Sequence, residues 1–104
     1  MIVTSTAEIP GKRITSILGM AMGNTVRTRH IGRDIMAGFK TIVGGEIKGY
    51  TEMLSQSRTE AYNRMVNEAI KMKADAVVNV RFMTSAIMHN AAELLAYGTA
   101  VKLG

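Results

Sequence analysis

Basic residues gather at one place in this 104-residue chain, at Arg27, Arg29, His30 and Arg33. Guanidinium groups so close together can hold a phosphate or carboxylate through paired N–H donors. The same charges on an exposed strand would discourage edge-to-edge association. His30 and Asp34 are four apart, a spacing that puts two cation ligands on one face of a helix, but two ligands do not complete a site and Arg33 opposes a cation there. Gly44-Gly45-Glu46 resembles a fragment of a phosphate-cradling loop without the Lys and Ser or Thr that should follow. Glu46 reads instead as the acidic residue that suits the positive N-terminus of a helix. Arg58 lies on or beside an apolar helical stripe between Leu54 and Ala61, and Arg81 lies in an otherwise apolar strand. Each needs a carboxylate such as Glu46, Glu93 or a neighbouring subunit's acid, or else an anionic ligand. The candidate ligand-binding residues are therefore Arg27, Arg29, Arg33, Arg58 and Arg81. No nucleophilic triad, carboxylate pair or dinucleotide fingerprint is present, Thr84-Ser85 reads as turn chemistry, and the expectation is a protein that is not an enzyme.

The chain has no cysteine, which removes disulfides, thiolate nucleophiles, zinc ribbons and iron–sulfur clusters and suits a reducing compartment. Thirteen Lys and Arg against eight Asp and Glu give a net charge of +5. With two Phe, three Tyr and no Trp there is no stacking platform, so nucleic-acid binding is not expected. The apolar run Ile14 to Met22 is less than half the roughly 20 residues a membrane span needs, and the flanking residues do not suit a secretory signal. A cytoplasmic protein with no membrane partner is the expectation.

These side chains must be positioned by one domain, 1–104, since the length suits a single core. Ile2 to Ala7 reads as a strand ending before Pro10-Gly11, and Ile14 to Val26 as a second, with Gly19 and Gly23 marking a bulge, a bend or a close backbone approach. Ile31, Ile35, Phe39 and Ile42 recur at helical spacing and stop at Gly44-Gly45. Ile47, Tyr50, Leu54, Ala61, Met65, Ala69 and Met72 mark one face of a longer helix, on which Glu60 and Arg64 are placed for an i, i+4 pair. Val77 to Ser85 reads as a strand with Val78, Val80 and Phe82 turned to that helix. Ala92 to Leu103 is the last strand. Its Ala96, Gly98 and Ala100 are small and uncharged, and the expectation is that this face is left bare within the protomer and covered by another subunit. The order is strand, strand, helix, helix, strand, strand, a two-layer α+β domain.

Several words of the sequence carry a resemblance: Val43-Gly44-Gly45-Glu46, Tyr50-Thr51-Glu52-Met53-Leu54, Arg64-Met65, Ala74-Asp75-Ala76-Val77-Val78, Val80-Arg81-Phe82, Thr84-Ser85 and Ala96-Tyr97-Gly98-Thr99-Ala100-Val101. In this order and at these separations they are similar to the YbjQ-like family, small prokaryotic proteins without established function, sometimes labelled heavy-metal-binding. The resemblance implies a dodecin-like β-β-α-α-β-β protomer and a ring-shaped homopentamer in which short strands join neighbours. It implies no reaction and supplies no catalytic residue, it leaves the cofactor unknown, and there is no cysteine to serve the metal label. The function expected is that of a cytosolic homo-oligomer binding a small anionic ligand or a metal ion where subunits meet. The alternative is a macromolecular interaction module that uses Arg27, Arg29 and Arg33.

Overall fold

The computed structural model describes residues 1–28, 48–88 and 91–104. Within them the elements are β1 (Ile2–Val3), β2 (Ile14–Thr28), α1 (Lys48–Lys71), β3 (Ala76–Met88) and β4 (Ala91–Leu103). The α+β class holds, but the described order is strand, strand, helix, strand, strand, not the expected order with two helices. The segment Ile31 to Val43, read as the first helix, lies outside the described residues. The opening strand is two residues long rather than six, because the chain leaves the sheet after Val3. No helix among the described residues is long and apolar enough to cross a membrane.

The four strands form one mixed sheet in the order β1-β3-β4-β2, with β1 parallel to β3 and the other pairs antiparallel. β2 has fifteen residues and its partner β4 thirteen. The surplus is taken up by two irregularities, between Ile14 and Ser16 and between Ile17 and Gly19, the second with Gly19 at φ 135°. Each inserts one residue and resets the alternation of side chains. Ile14, Ile17, Met20 and Met22, spaced by three, three and two, consequently share one face. Of the bulge, bend or close approach expected at Gly19 and Gly23, Gly19 sits at a bulge, and the strand continues through it.

β3 carries a third irregularity between Val78 and Arg81, where Asn79 adopts φ 54° and donates its N–H to Thr6 O at 2.9 Å. Asn tolerates this left-handed conformation better than most residues. The bulge overturns the expected facing of β3. Val77 and Val80 turn to the helix and Val78 turns away, while Phe82, opposite the helix-side Ala96, keeps the expected side but stays 45% exposed.

α1 lies mainly over β2 and β4. Ala61, Met65 and Ala69 meet Ala21, Ala96, Ala100, Val77 and Val80 in the main core. Ser57 begins this i, i+4 series and is buried, whereas Leu54, assigned to the apolar stripe, is 46% exposed. A smaller cluster on the opposite sheet face joins Ala76, Val78 and Val101 to Ile9, Ile14 and Leu103. The small-residue face of β4 is therefore not bare, as expected, but covered by the helix. Smallness there lets backbones approach. A methyl group added at Gly23 would overlap Ala61 O and Met65 N and lie 2.7 Å from Arg64 Cβ. One added at Gly98 would lie 2.7 Å from Val77 Cγ1 and 3.0 Å from Val80 Cγ2.

The helix ends in a double hydrogen bond in which Ala74 N–H donates to Ala69 O (3.1 Å) and Lys73 N–H to Ile70 O (2.9 Å). This is the Schellman arrangement, which places its C′ residue in the left-handed region. Here that residue is Lys73, at φ 62°. Two substitutions test these backbone constraints by urea unfolding at matched protein concentration. Gly23→Ala is expected to lose about 3 kcal/mol through the helix–sheet overlap. Lys73→Gly is expected to gain about 1 kcal/mol by relieving the left-handed lysine.

Candidate functional site

Arg27 sits near the end of β2 on the helix-facing side. Its Nε donates to Ser57 Oγ at 2.8 Å and its Nη2 to Glu60 Oε2 at 2.6 Å. Thr25, also buried, donates Oγ1–H to the Ser57 carbonyl at 3.3 Å. One helix turn on, Arg64 Nη1 donates to Asn24 O at 2.6 Å. The expected Glu60–Arg64 pair along the helix is thus replaced by two contacts to β2. Both side chains are long enough to reach the strand, where Arg64 donates to a fixed carbonyl and Glu60 accepts from a guanidinium held on the sheet, each a better partner than a solvated helix neighbour. Arg27 is a tether between β2 and α1, with its donors directed inward. Beside it, Ser55, Gln56, Thr59 and Glu60 line an open depression of about 370 Å³.

Arg81 stands on the sheet face away from the helix, opposite Tyr97. It is exposed, and its Nη1 donates to Ser5 O (2.8 Å) and Val80 O (2.9 Å). No carboxylate pairs with it among the described residues. Glu93, one of the acids expected near it, accepts instead from Asn24 Nδ2 at 3.1 Å. Arg58 is exposed on α1, not packed within its apolar stripe, and makes no ion pair among the described residues. Arg27 and Arg81 occupy opposite faces of the sheet and do not combine into one site. Arg29, His30, Arg33, Asp34, Glu46 and His89 lie outside the described residues.

A polar junction that the sequence reading missed ties the helix end to the last strand. Asp75 Oδ2 accepts from Leu103 N–H at 2.9 Å, and Asp75 Oδ1 accepts from Lys102 Nζ at 3.3 Å. Lys102 Nζ also donates to Lys73 O at 3.0 Å. The Leu103 amide, then the Lys102 ammonium, hold the Asp75 carboxyl below the usual carboxylate range. Only the chain reversal after α1 places Asp75 beside residues 27 and 28 positions away, and no local spacing signals it.

Among the described residues, no three His, Cys, Asp or Glu side chains gather where they could hold a metal ion. With no cysteine in the chain, the described donors do not fit a heavy-metal centre, and no chemistry is routed through one here.

A family model described as "Putative heavy-metal-binding", YbjQ, matches residues 1–104. A UPF0145 protein of Photobacterium profundum is 60% identical over 103 residues, covering 99% of this chain and 100% of its own. One from Archaeoglobus fulgidus is 61% identical over 99% of this chain and 95% of its own. The chain is also similar to the crystal structure of a protein of unknown function from the DUF74 family of Pediococcus pentosaceus. That match has a TM-score of 0.67 and 15% identity, and covers 100% of this chain and 98% of that one; at such identity it speaks for the fold alone.

The Asp75 junction gives a pH dependence. A carboxyl lowered in the folded state contributes stability above its unfolded pKa and loses it as the pH falls through the folded value. Thermal unfolding is therefore expected to show the wild type losing stability more steeply than Asp75→Asn as the pH is lowered below about 4. Parallel curves for the two proteins would remove Asp75 from the acid branch.

Proposed function

This chain belongs to the YbjQ family, and we propose that it works as one protomer of a cytosolic homo-oligomer, with small-ligand binding where copies meet. The observation that carries this reading is the sheet face turned away from α1. Ile17, Met20, Met22 and Val26 of β2 and Met83 of β3 share it at 73, 57, 49, 49 and 54% exposure. Leu95, Tyr97 and Thr99 of β4, half-buried, run between the two strands. Covering a large apolar side chain returns roughly 1.5–3 kcal/mol before the costs of association, so a second copy has several such groups to gain.

The interface expected on Ala96, Gly98 and Ala100 thus moves to the other face of the same strand. A homopentameric, dodecin-like ring is the form the family resemblance implies. In it, Arg81 at the margin of the apolar face is the guanidinium offered to an anionic ligand or to a neighbour's carboxylate. The reading as a macromolecular interaction module on the basic cluster is less favoured, because Arg27 is already engaged by Ser57 and Glu60.

Native mass spectrometry of protein purified without added ligand tests this. The expected result is one species at five times the 11.3 kDa protomer mass. The double substitution Met20→Glu and Met22→Glu is expected to shift it to single protomers with an unchanged far-ultraviolet circular dichroism spectrum. A wild type that stays at one protomer mass at micromolar concentration overturns the proposal. Any small mass retained by the wild-type oligomer is expected to be lost from Arg81→Met.

A further inference from the structure

We infer that the ligand taken at Arg81 is an amphipathic monocarboxylate, a free acid with a medium-length alkyl tail. Its carboxylate sits on the guanidinium and its tail on the apolar floor made by Tyr97, Leu95, Met20, Met22 and Met83. This rests on the reading above, that a small anion binds on the sheet face away from α1, and adds the chemical class of that anion.

The head of the ligand is set by Arg81. Side chains alternate along a strand, so a regular β3 would put Arg81 on the same side as Val77, beneath the helix. The residue inserted at Asn79, held at φ 54°, reverses that alternation and delivers the guanidinium to the other face. There Nη1 is committed to Ser5 O at 2.8 Å and Val80 O at 2.9 Å. Both acceptors are neutral, so the charge is held in place without being compensated, and no carboxylate pairs with it among the described residues. Nε and Nη2, on the other edge of the guanidinium, are placed to donate side by side to the two oxygens of one carboxylate. Among the described strand residues Arg81 is the one basic side chain on this face, since Arg27 is drawn to the helix by Ser57 and Glu60. One fixed cation suits a single negative charge better than a phosphate dianion.

The tail is set by what lies beside the guanidinium. Arg81, Tyr97 and Met22 form one row across three strands, a span of two strand spacings or about 10 Å. Met20 and Met83 flank this row on either side, and Met20, Met22 and Met83 are each about half exposed. An alkyl chain advances about 1.3 Å per carbon on C–C bonds of about 1.5 Å, so roughly eight to ten carbons run from Arg81 across Tyr97 to Met22 or Met20. Methionine adapts its shape to a flexible tail more readily than a branched side chain does. Glu93, which accepts from Asn24 Nδ2 at 3.1 Å, makes the face polar and acidic beyond Leu95. The tail is therefore directed across the strands rather than along them.

The probe is sodium decanoate, kept below the concentration at which it aggregates and titrated calorimetrically into protein stripped of bound lipid. Decanoate is expected to bind, and octanoate to bind about tenfold more weakly, since each buried methylene is worth about fourfold in affinity. Decanol, with the same tail and no charge, is expected to bind at least tenfold more weakly than decanoate. Arg81→Met, with an unchanged circular dichroism spectrum, is expected to lose decanoate affinity by a similar factor. A wild type that does not bind decanoate, that binds decanol equally well, or that binds inorganic phosphate more tightly than decanoate overturns the inference without recourse to any variant. If such a wild type is still oligomeric by native mass spectrometry, the self-assembly reading stands. A wild type at one protomer mass that binds decanoate through Arg81 overturns self-assembly and leaves the ligand class standing.

Discussion

The structure depends on how closely α1 lies on β2. At Gly23 the strand backbone touches the helix backbone at Ala61 and Met65, with no room for a side chain between them. That contact explains why Ala21, Ala96, Gly98 and Ala100 are small and why Ala61 and Ala69 are small opposite them; among the described residues Met65 is the largest fully buried side chain. A layer this thin buries little apolar volume for its length.

A thin two-layer domain has a second face. Here the helix takes the side lined by alanine and glycine, and among the described residues the side lined by methionine, isoleucine, valine, leucine and tyrosine is packed on by Ile9 and its neighbours at one end. The residue types are inverted from the usual allotment, in which large apolar side chains fill the protomer core. Large, adaptable side chains are useful where surfaces of separate chains must fit, and methionine is the most adaptable of them. Polar tethers keep the helix in place without apolar bulk. Arg27 to Ser57 and Glu60, Arg64 to Asn24 O, and Asp75 to Lys102 and the Leu103 amide pin the helix to β2 at several points and its end to β4. One of the arginines that invite a ligand reading, Arg27, is therefore part of the fold, and Arg58 and Arg81 are the described candidates that are exposed.

Much of the architecture was legible in the chain. The long helix, both late strands, the bulge at Gly19 and the close approach at Gly23 follow from periodicity and from glycine inside a strand. The faces were less legible. Strict alternation assigns Val78, Val80 and Phe82 to one side, but the inserted residue at Asn79 puts Val77 and Val80 there instead. Nothing in a run of valines announces a bulge; it is stabilised by bonds from Asn79 and Val80 to Thr6 and Thr4, more than seventy positions away. Ser57 was passed over because a serine in a buried stripe reads as a gap, although its spacing to Ala61, Met65 and Ala69 marks it as part of the series. Of the basic cluster, only Arg27 falls among the described residues.

By itself, the sequence determined the family, the α+β class, the position of the long helix and the division of the last strand into a small-residue set and a large-residue set. Only the tertiary structure decided which set meets the helix. Periodicity separates the two faces of a strand but carries no sign. The sign comes from the distance at which the helix settles, and at this distance the helix backbone admits alanine and glycine and excludes leucine and tyrosine. The small residues that looked like bare surface are the core beneath the helix, and the large ones opposite them are the side chains left exposed or half-buried.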